Sequence, residues 1–177
     1  TSNNFYEGVS FTTAGSRGDV TVYDSNDFYL GTSTINGNLE VETGNVTAAN
    51  IGDDGSVTVT GTADLSASGT NNASVATIWM KDSLHTFSGG LSAQGHHVYL
   101  QVNATDLGII RAKRGKVSIT ARGALTQTGT TAAIYSNTDT EIIARSSDTN
   151  TKYDVTLDKS SNSFGGNSNA TATSTNV

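Results

Sequence analysis

The chain has 177 residues with 16 acidic and 10 basic side chains, a net charge of -6, and neither Cys nor Pro. Zero Cys excludes disulfides, thiolate metal sites and a thiol nucleophile, and the acidic balance argues against nucleic acid as a partner. No apolar run approaches the roughly 20 residues of a membrane-spanning helix, so no membrane insertion is expected. Thr, Ser, Gly and Asn fill close to half the chain while only 15% of residues are charged. With Val, Ile and Thr recurring throughout, that mix points to strands with polar outward faces rather than to disorder.

In chain order, alternation at period two marks Val20-Thr21-Val22, Leu39-Glu40-Val41-Glu42, Val57-Thr58-Val59-Thr60, Val98-Tyr99-Leu100-Gln101-Val102 and Val117-Ser118-Ile119-Thr120. Each run sets aliphatic side chains on one face and polar ones on the other, the pattern of a strand buried on one side. Glycines at 18, 37, 55, 95 and 115 come shortly before them. Taking the first aliphatic of each run, with Val75, Ile134 and Val155 added, gives a mean step of about 19 residues, a regular spacing that marks a solenoid. The expectation is an all-β, right-handed parallel β-helix of eight or nine coils of about 19 residues, spanning 1–164. A polar linker or frayed tail is expected over 165–177. The rival is a β-sandwich, whose strands also recur regularly.

Asp19-Val20-Thr21-Val22-Tyr23-Asp24-Ser25-Asn26-Asp27-Phe28 is echoed by Asp154-Val155-Thr156-Leu157-Asp158 running on to Phe164, and Ser2-Asn3-Asn4-Phe5 is a partial third copy. A chain that opens on one repeat fragment and closes after another is expected to belong to a longer array. Asn3-Asn4-Phe5, Val9-Ser10-Phe11, Leu30-Gly31-Thr32-Ser33-Thr34-Ile35-Asn36-Gly37-Asn38-Leu39 and Asn162-Ser163-Phe164-Gly165-Gly166 resemble repeats of filamentous-haemagglutinin-like large exoproteins. The resemblance implies a long parallel β-helix exported to the bacterial surface, often by two-partner secretion, and acting as an adhesin. An uncapped β-helix end exposes unpaired backbone groups, so neighbouring repeats or identical copies are expected end to end, with host-cell, glycan or other cell-surface ligands as further expected partners.

Candidate chemistry is sparse. Arg17-Gly18-Asp19 lies in a turn-like stretch before a strand, where it can serve as a receptor-binding triplet or as an ordinary corner. Arg111, Lys113, Arg114, Lys116 and Arg122 hold half of the cations. They read either as a polyanion-binding cluster or as charges that keep a β-rod from aggregating sideways. Glu40 and Glu42 sit roughly 7 Å apart on one strand, a separation that inverting glycosidases use. Tyr23 and Tyr99 are expected on one lateral face with them, and Thr58 and Thr60 one coil later. That is the carbohydrate-active alternative, a polysaccharide lyase or hydrolase.

His96 and His97 are expected on opposite faces of a strand, and with His85 they read as surface histidines. Asp53-Asp54, and Asp24 with Asp27, are weak calcium candidates that equally suit turns. Thr-x-Thr pairs at irregular spacing are not expected to form a continuous row. Sequons begin at Asn45, Asn72, Asn103 and Asn169, as many as chance supplies. The reading is a non-enzymatic structural or adhesive segment with no catalytic group, metal or cofactor.

Overall fold

A computed structural model describes residues 3–15, 17–44, 48–69, 75–147 and 151–165, and the backbone of a short strand at 171–172. Alternating burial makes strands β1 (Val20–Asp24), β2 (Phe28–Leu30) and β3 (Ser33–Ile35), then β4 (Leu39–Thr43), β5 (Ile51–Asp53) and β6 (Val57–Val59). There follow β7 (Ala63–Ala67), the long β8 (Thr77–Phe87), β9 (Leu91–Gly95), β10 (His97–Val102) and β11 (Thr105–Ala112). The series ends with β12 (Val117–Ala121), β13 (Leu125–Thr126), β14 (Ala133–Ser136), β15 (Thr140–Ala144) and β16 (Thr171–Ala172). All named strands pair in parallel with strands one turn away, and there is no helix among the described residues. The result is a β-solenoid of about five turns, a parallel β-helix.

The pairings define three faces. Face one stacks β1, β4, β7, β9, the C-terminal half of β11, and β14. Face two stacks β2, β5, the first half of β8, β10, β12, β15 and β16. Face three stacks β3, β6 and the end of β8, and further along it β13 follows the start of β11. About five turns replace the eight or nine expected, because the coils are unequal. Val20 pairs Leu39, Leu39 pairs Ala63 and Ala63 pairs Leu91, so each of these turns is longer than the one before. The short step expected from the sequence is real at Val20 to Leu39 and again at Val98 to Val117. Val57 is on face three and Ile134 on face one, so steps through them cross faces and average short and long coils together. Extra residues in outward corners cost little closure entropy, which leaves coil length free to vary.

Inward positions form one core, from Phe28, Leu30 and Ile35 through Ile78, Met80 and Phe87 to Ile119 and Leu125, each fully buried. Side chains take over hydrogen bonding where the chain turns between faces. Entering face one, Asp19 Oδ1 accepts the Asn38 N–H at 2.7 Å, and Asn38 Oδ1 accepts the Thr62 N–H at 2.9 Å. Entering face two, Asp27 Oδ1 accepts the Asn50 N–H at 2.7 Å and Asn50 Oδ1 accepts the Thr77 N–H at 2.8 Å. Each link satisfies a backbone donor that the bend takes out of the ladder. In the expected tail, Glu141 and Ile142 pair Thr171 and Ala172. Residues 166–170 and 173–177, like the sequons at Asn45, Asn72 and Asn169, lie outside the described residues.

Candidate functional site

Face two carries the single tryptophan, Trp79, with Tyr29 and Tyr99 on the same outer side. Tyr29 pairs Gly52, Gly52 pairs Trp79, and Trp79 pairs Tyr99, so these four outward positions form one column along the solenoid axis. The local cause is the alternation Phe28-Tyr29-Leu30, Ile78-Trp79-Met80 and Val98-Tyr99-Leu100, which buries the flanking residues and turns the ring outward. Gly52 is the gap in the column. A Cβ there would lie 2.7 Å from ring atoms of Tyr29, so the glycine lets that ring lie down over the strand.

Trp79 and Tyr99 meet at 4.9 Å between centroids with their planes tilted by 59°. Lys81 Nζ sits 4.1 Å from the indole centroid, and the indole N–H donates to Asp82 Oδ2 at 2.9 Å. His97 stacks beside Tyr99 at 5.9 Å, and its Nδ1 accepts the Lys116 N–H at 3.0 Å. That bond leaves Nε2 as the protonated nitrogen of the neutral ring. Burial, and then the neighbouring His96, push the His97 pKa below the ordinary histidine value. Tyr29, Gly52, Trp79, Asp82, His97 and Tyr99 line a cleft of about 580 Å³. A second cleft of about 530 Å³, lined by Asn4, Phe5 and Tyr6, shares Tyr29 with the first.

Behind the cleft the strand turns inward. Asp53 accepts the N–H groups of Lys81, Asp82 and Ser83, at 3.2, 3.4 and 2.7 Å, where β8 bends from face two to face three. His85 is fully buried: its Nδ1 accepts the Val57 N–H at 3.1 Å, and its Nε2 lies 3.3 Å from Asp53 Oδ2 without a well-aligned bond. His85 is therefore a core residue, not the surface histidine expected. Burial holds its pKa below the usual value, against the opposing pull of Asp53.

The residues singled out in the sequence are dispersed. Arg17 and Asp19 are exposed, but the Asp19 carboxylate is committed to the corner bond with Asn38. Arg111 stacks over Tyr135 on face one at 4.6 Å, Lys113 and Arg114 are exposed at the following corner, and Lys116 pairs Glu141 at 2.8 Å. Arg122 follows β12 at the next corner, so five neighbours in sequence spread over one face and two corners.

Glu40 and Glu42 stand opposite Thr21 and Tyr23 on one side, but opposite Asp64 and Ser66 on the other rather than Thr58 and Thr60. Tyr23 lies on face one and Tyr99 on face two, not on a shared face. Tyr23 OH donates to Glu40 Oε1 at 3.4 Å, and the charge of Glu40 raises the phenol pKa. Partial burial, and then Glu40, raise the pKa of Asp64. His96 falls in the corner before β10, so its ring meets His97 at 4.7 Å instead of facing away. Thr12, Thr34, Thr58 and Thr86 do stack in a continuous column on face three, because the unequal coil lengths match their unequal spacing. Among the described residues no cluster of three His, Asp or Glu is placed to hold a metal.

A model described as repeats of unknown function (DUF5649) matches residues 17–94 and again 95–171. No curated protein and no solved structure matches the chain. The two copies map onto the coils with a shift. The first begins with β1, and its face-one rungs run Val20, Leu39, Ala63, a short step followed by a longer one. The second begins with β10, and Val98, Val117 and Thr140 repeat that short step and longer step on face two. Strands that occupy face one in the first copy thus have their counterparts on face two in the second, and from β1 to β10 the chain winds three turns and one face more. With both copies matched over most of its length, the chain belongs to this family of repeats of unknown function.

Proposed function

We propose that the chain is a non-enzymatic structural and adhesive segment of a bacterial surface or secreted fibre, associating end to end with further repeats or copies. The observation that carries this reading is the repeat geometry. Two copies continue one another through parallel ladders on faces one and two, and an exposed rung of such a coil offers its neighbour a row of backbone donors and acceptors. The outward residues are mainly polar, with an aromatic column on face two, a surface suited to many weak contacts multiplied along a fibre. The resemblance to filamentous-haemagglutinin-like exoproteins supports the same reading.

The test is twofold. The chain should form rods that lengthen with concentration in electron micrographs, and immobilised chain should retain cells or glycans without degrading them. Particles of constant size that retain neither would overturn the proposal.

One observation favours the enzymatic rival: Asp64, whose pKa is raised, sits opposite Glu40. A carboxyl group shifted toward its neutral form beside a second carboxylate is the kind of pairing that glycoside hydrolysis uses. Incubation with neutral and acidic polysaccharides decides between them. Chain cleavage that disappears in a Glu40→Gln, Glu42→Gln double variant would establish the rival; no turnover is expected.

A further inference from the structure

The geometry points to a saccharide-binding groove on face two, in which Tyr29, Trp79 and Tyr99 stack against the rings of a neutral oligosaccharide. This deepens the adhesive reading above and rests on it. Trp79 and Tyr29 are 39% and 40% exposed, large apolar surfaces that a folded chain ordinarily covers. They are held in place rather than loose. The indole is pinned by Asp82 and by Lys81, and the Tyr29 ring lies over Gly52, the residue whose missing Cβ makes room for it. Fixed aromatic faces lose little entropy on binding.

Polar groups surround the rings. Asp82 uses one carboxylate oxygen on the indole, His97 presents Nε2–H, and Asn50 retains its amide N–H₂ after its oxygen is bonded to Thr77. Donors and acceptors bordering apolar ring faces match the alternation of hydroxyl rims and C–H faces on a pyranose. From Tyr29 to Tyr99 the column spans three rung spacings, roughly 14 Å at the separation of paired strands. That length takes an oligosaccharide of several rings, and the second cleft beyond Tyr29 extends it.

Charge selects a neutral ligand. Lys81 is held over the indole ring and Asp82 on the indole N–H, the Asp53 carboxylate is turned inward onto three N–H groups, and Lys116 is bonded to Glu141. The residues that line the groove include no Lys or Arg to hold a sulfate or carboxylate. The sequence-derived cationic candidates Arg111, Lys113 and Arg114 belong to face one and its following corner.

Trp79 is the only tryptophan, so its emission reports the groove directly. The experiment titrates the full chain with cellohexaose, chitohexaose, maltohexaose and a galactan oligosaccharide, with heparin as the anionic probe. At least one neutral probe should shift the Trp79 emission saturably. Tyr29→Ala should weaken that binding by about tenfold, the worth of one aromatic contact. Tyr29→Phe keeps the ring and should stay within about twofold of the parent. Circular dichroism confirms that each variant is folded, and Tyr99→Ala gives a second, independent removal of a ring.

Silence of Trp79 toward every neutral probe, a response to heparin alone, or binding unchanged in both alanine variants would overturn the groove. If immobilised chain still retained cells in that case, the adhesive reading would stand and only the groove would fall. Loss of both would remove the two together. Retention of a protein ligand that competes at Trp79, with no saccharide response, also counts against the proposal.

Discussion

Two corners of the solenoid solve one problem in opposite surroundings. Entering face one, exposed Asp19 takes the N–H of Asn38, and water stands ready to replace it. Between faces two and three, Asp53 takes three N–H groups with its own side chain buried against a fully buried His85. The chemistry is the same, a carboxylate standing in for a missing rung of the ladder. Its energetic weight is set by burial, because an orphaned donor in the interior loses its bond outright. The lesson is that a motif's prominence in the sequence and its importance to the coil are unrelated. Arg17-Gly18-Asp19 draws attention as a triplet, whereas Asp53 looks like an ordinary turn residue.

The largest effect should come from Asp53→Ala. It leaves the Lys81, Asp82 and Ser83 N–H groups without their acceptor and removes the carboxylate beside His85, a loss of about 3 kcal/mol or more in urea unfolding. A cost below about 1 kcal/mol would mean that water enters this corner and the contrast fails.

Next comes acid. His85 has a folded-state pKa below its unfolded value, so the unfolded chain takes up the proton first. Stability is full above about pH 6.5, falls as the pH drops below it, and levels off once the folded pKa is passed. Protonation of Nδ1 also removes the acceptor for the Val57 N–H. His85→Gln, which keeps an acceptor but does not titrate, should flatten that limb in unfolding measured between about pH 7 and 5.

The half-buried Asn50→Ala falls between the two corners, at about 1 to 2 kcal/mol, since it frees the Thr77 N–H at the edge of the aromatic groove. The smallest change is Asp19→Ala, about 0.5 kcal/mol by the same unfolding assay. If the triplet is a corner and nothing else, cell retention by that variant should equal the parent's; a drop in retention at unchanged stability would restore its receptor role.

Much of the coil was legible in the sequence, because alternation is a local property. Leu39-Glu40-Val41-Glu42 and Val117-Ser118-Ile119-Thr120 are strands with the faces expected. Stacking is not local. Val20 does pair Leu39, but nothing in the sequence says that Val57 belongs two faces further on, since corner length varies from coil to coil. That ambiguity yields too many coils and puts Tyr99 on the wrong side.

The aromatic groove was hidden for the same reason. Tyr29, Gly52, Trp79 and Tyr99 are unevenly spaced along the chain, and no single period connects them. One usable signal was present: an aromatic at the outward position of Phe28-Tyr29-Leu30 and Ile78-Trp79-Met80, where most other strands carry Thr, Ser or Glu. His85 was missed because its burial depends on the bend in β8, which no local pattern marks.

The winding of three turns and one face per repeat has a consequence for any longer array of such copies. Whatever one copy displays to the left, the next displays a third of a revolution further round, and only after three copies does a patch return to its original heading. Ten turns separate such returns, an axial distance of about 48 Å at the strand spacing. A fibre built this way has no single binding side and no uniform face for a neighbour to zip against along its length. A flat surface that touched it would meet equivalent patches as a row of evenly spaced footholds, each too weak alone and effective only in series.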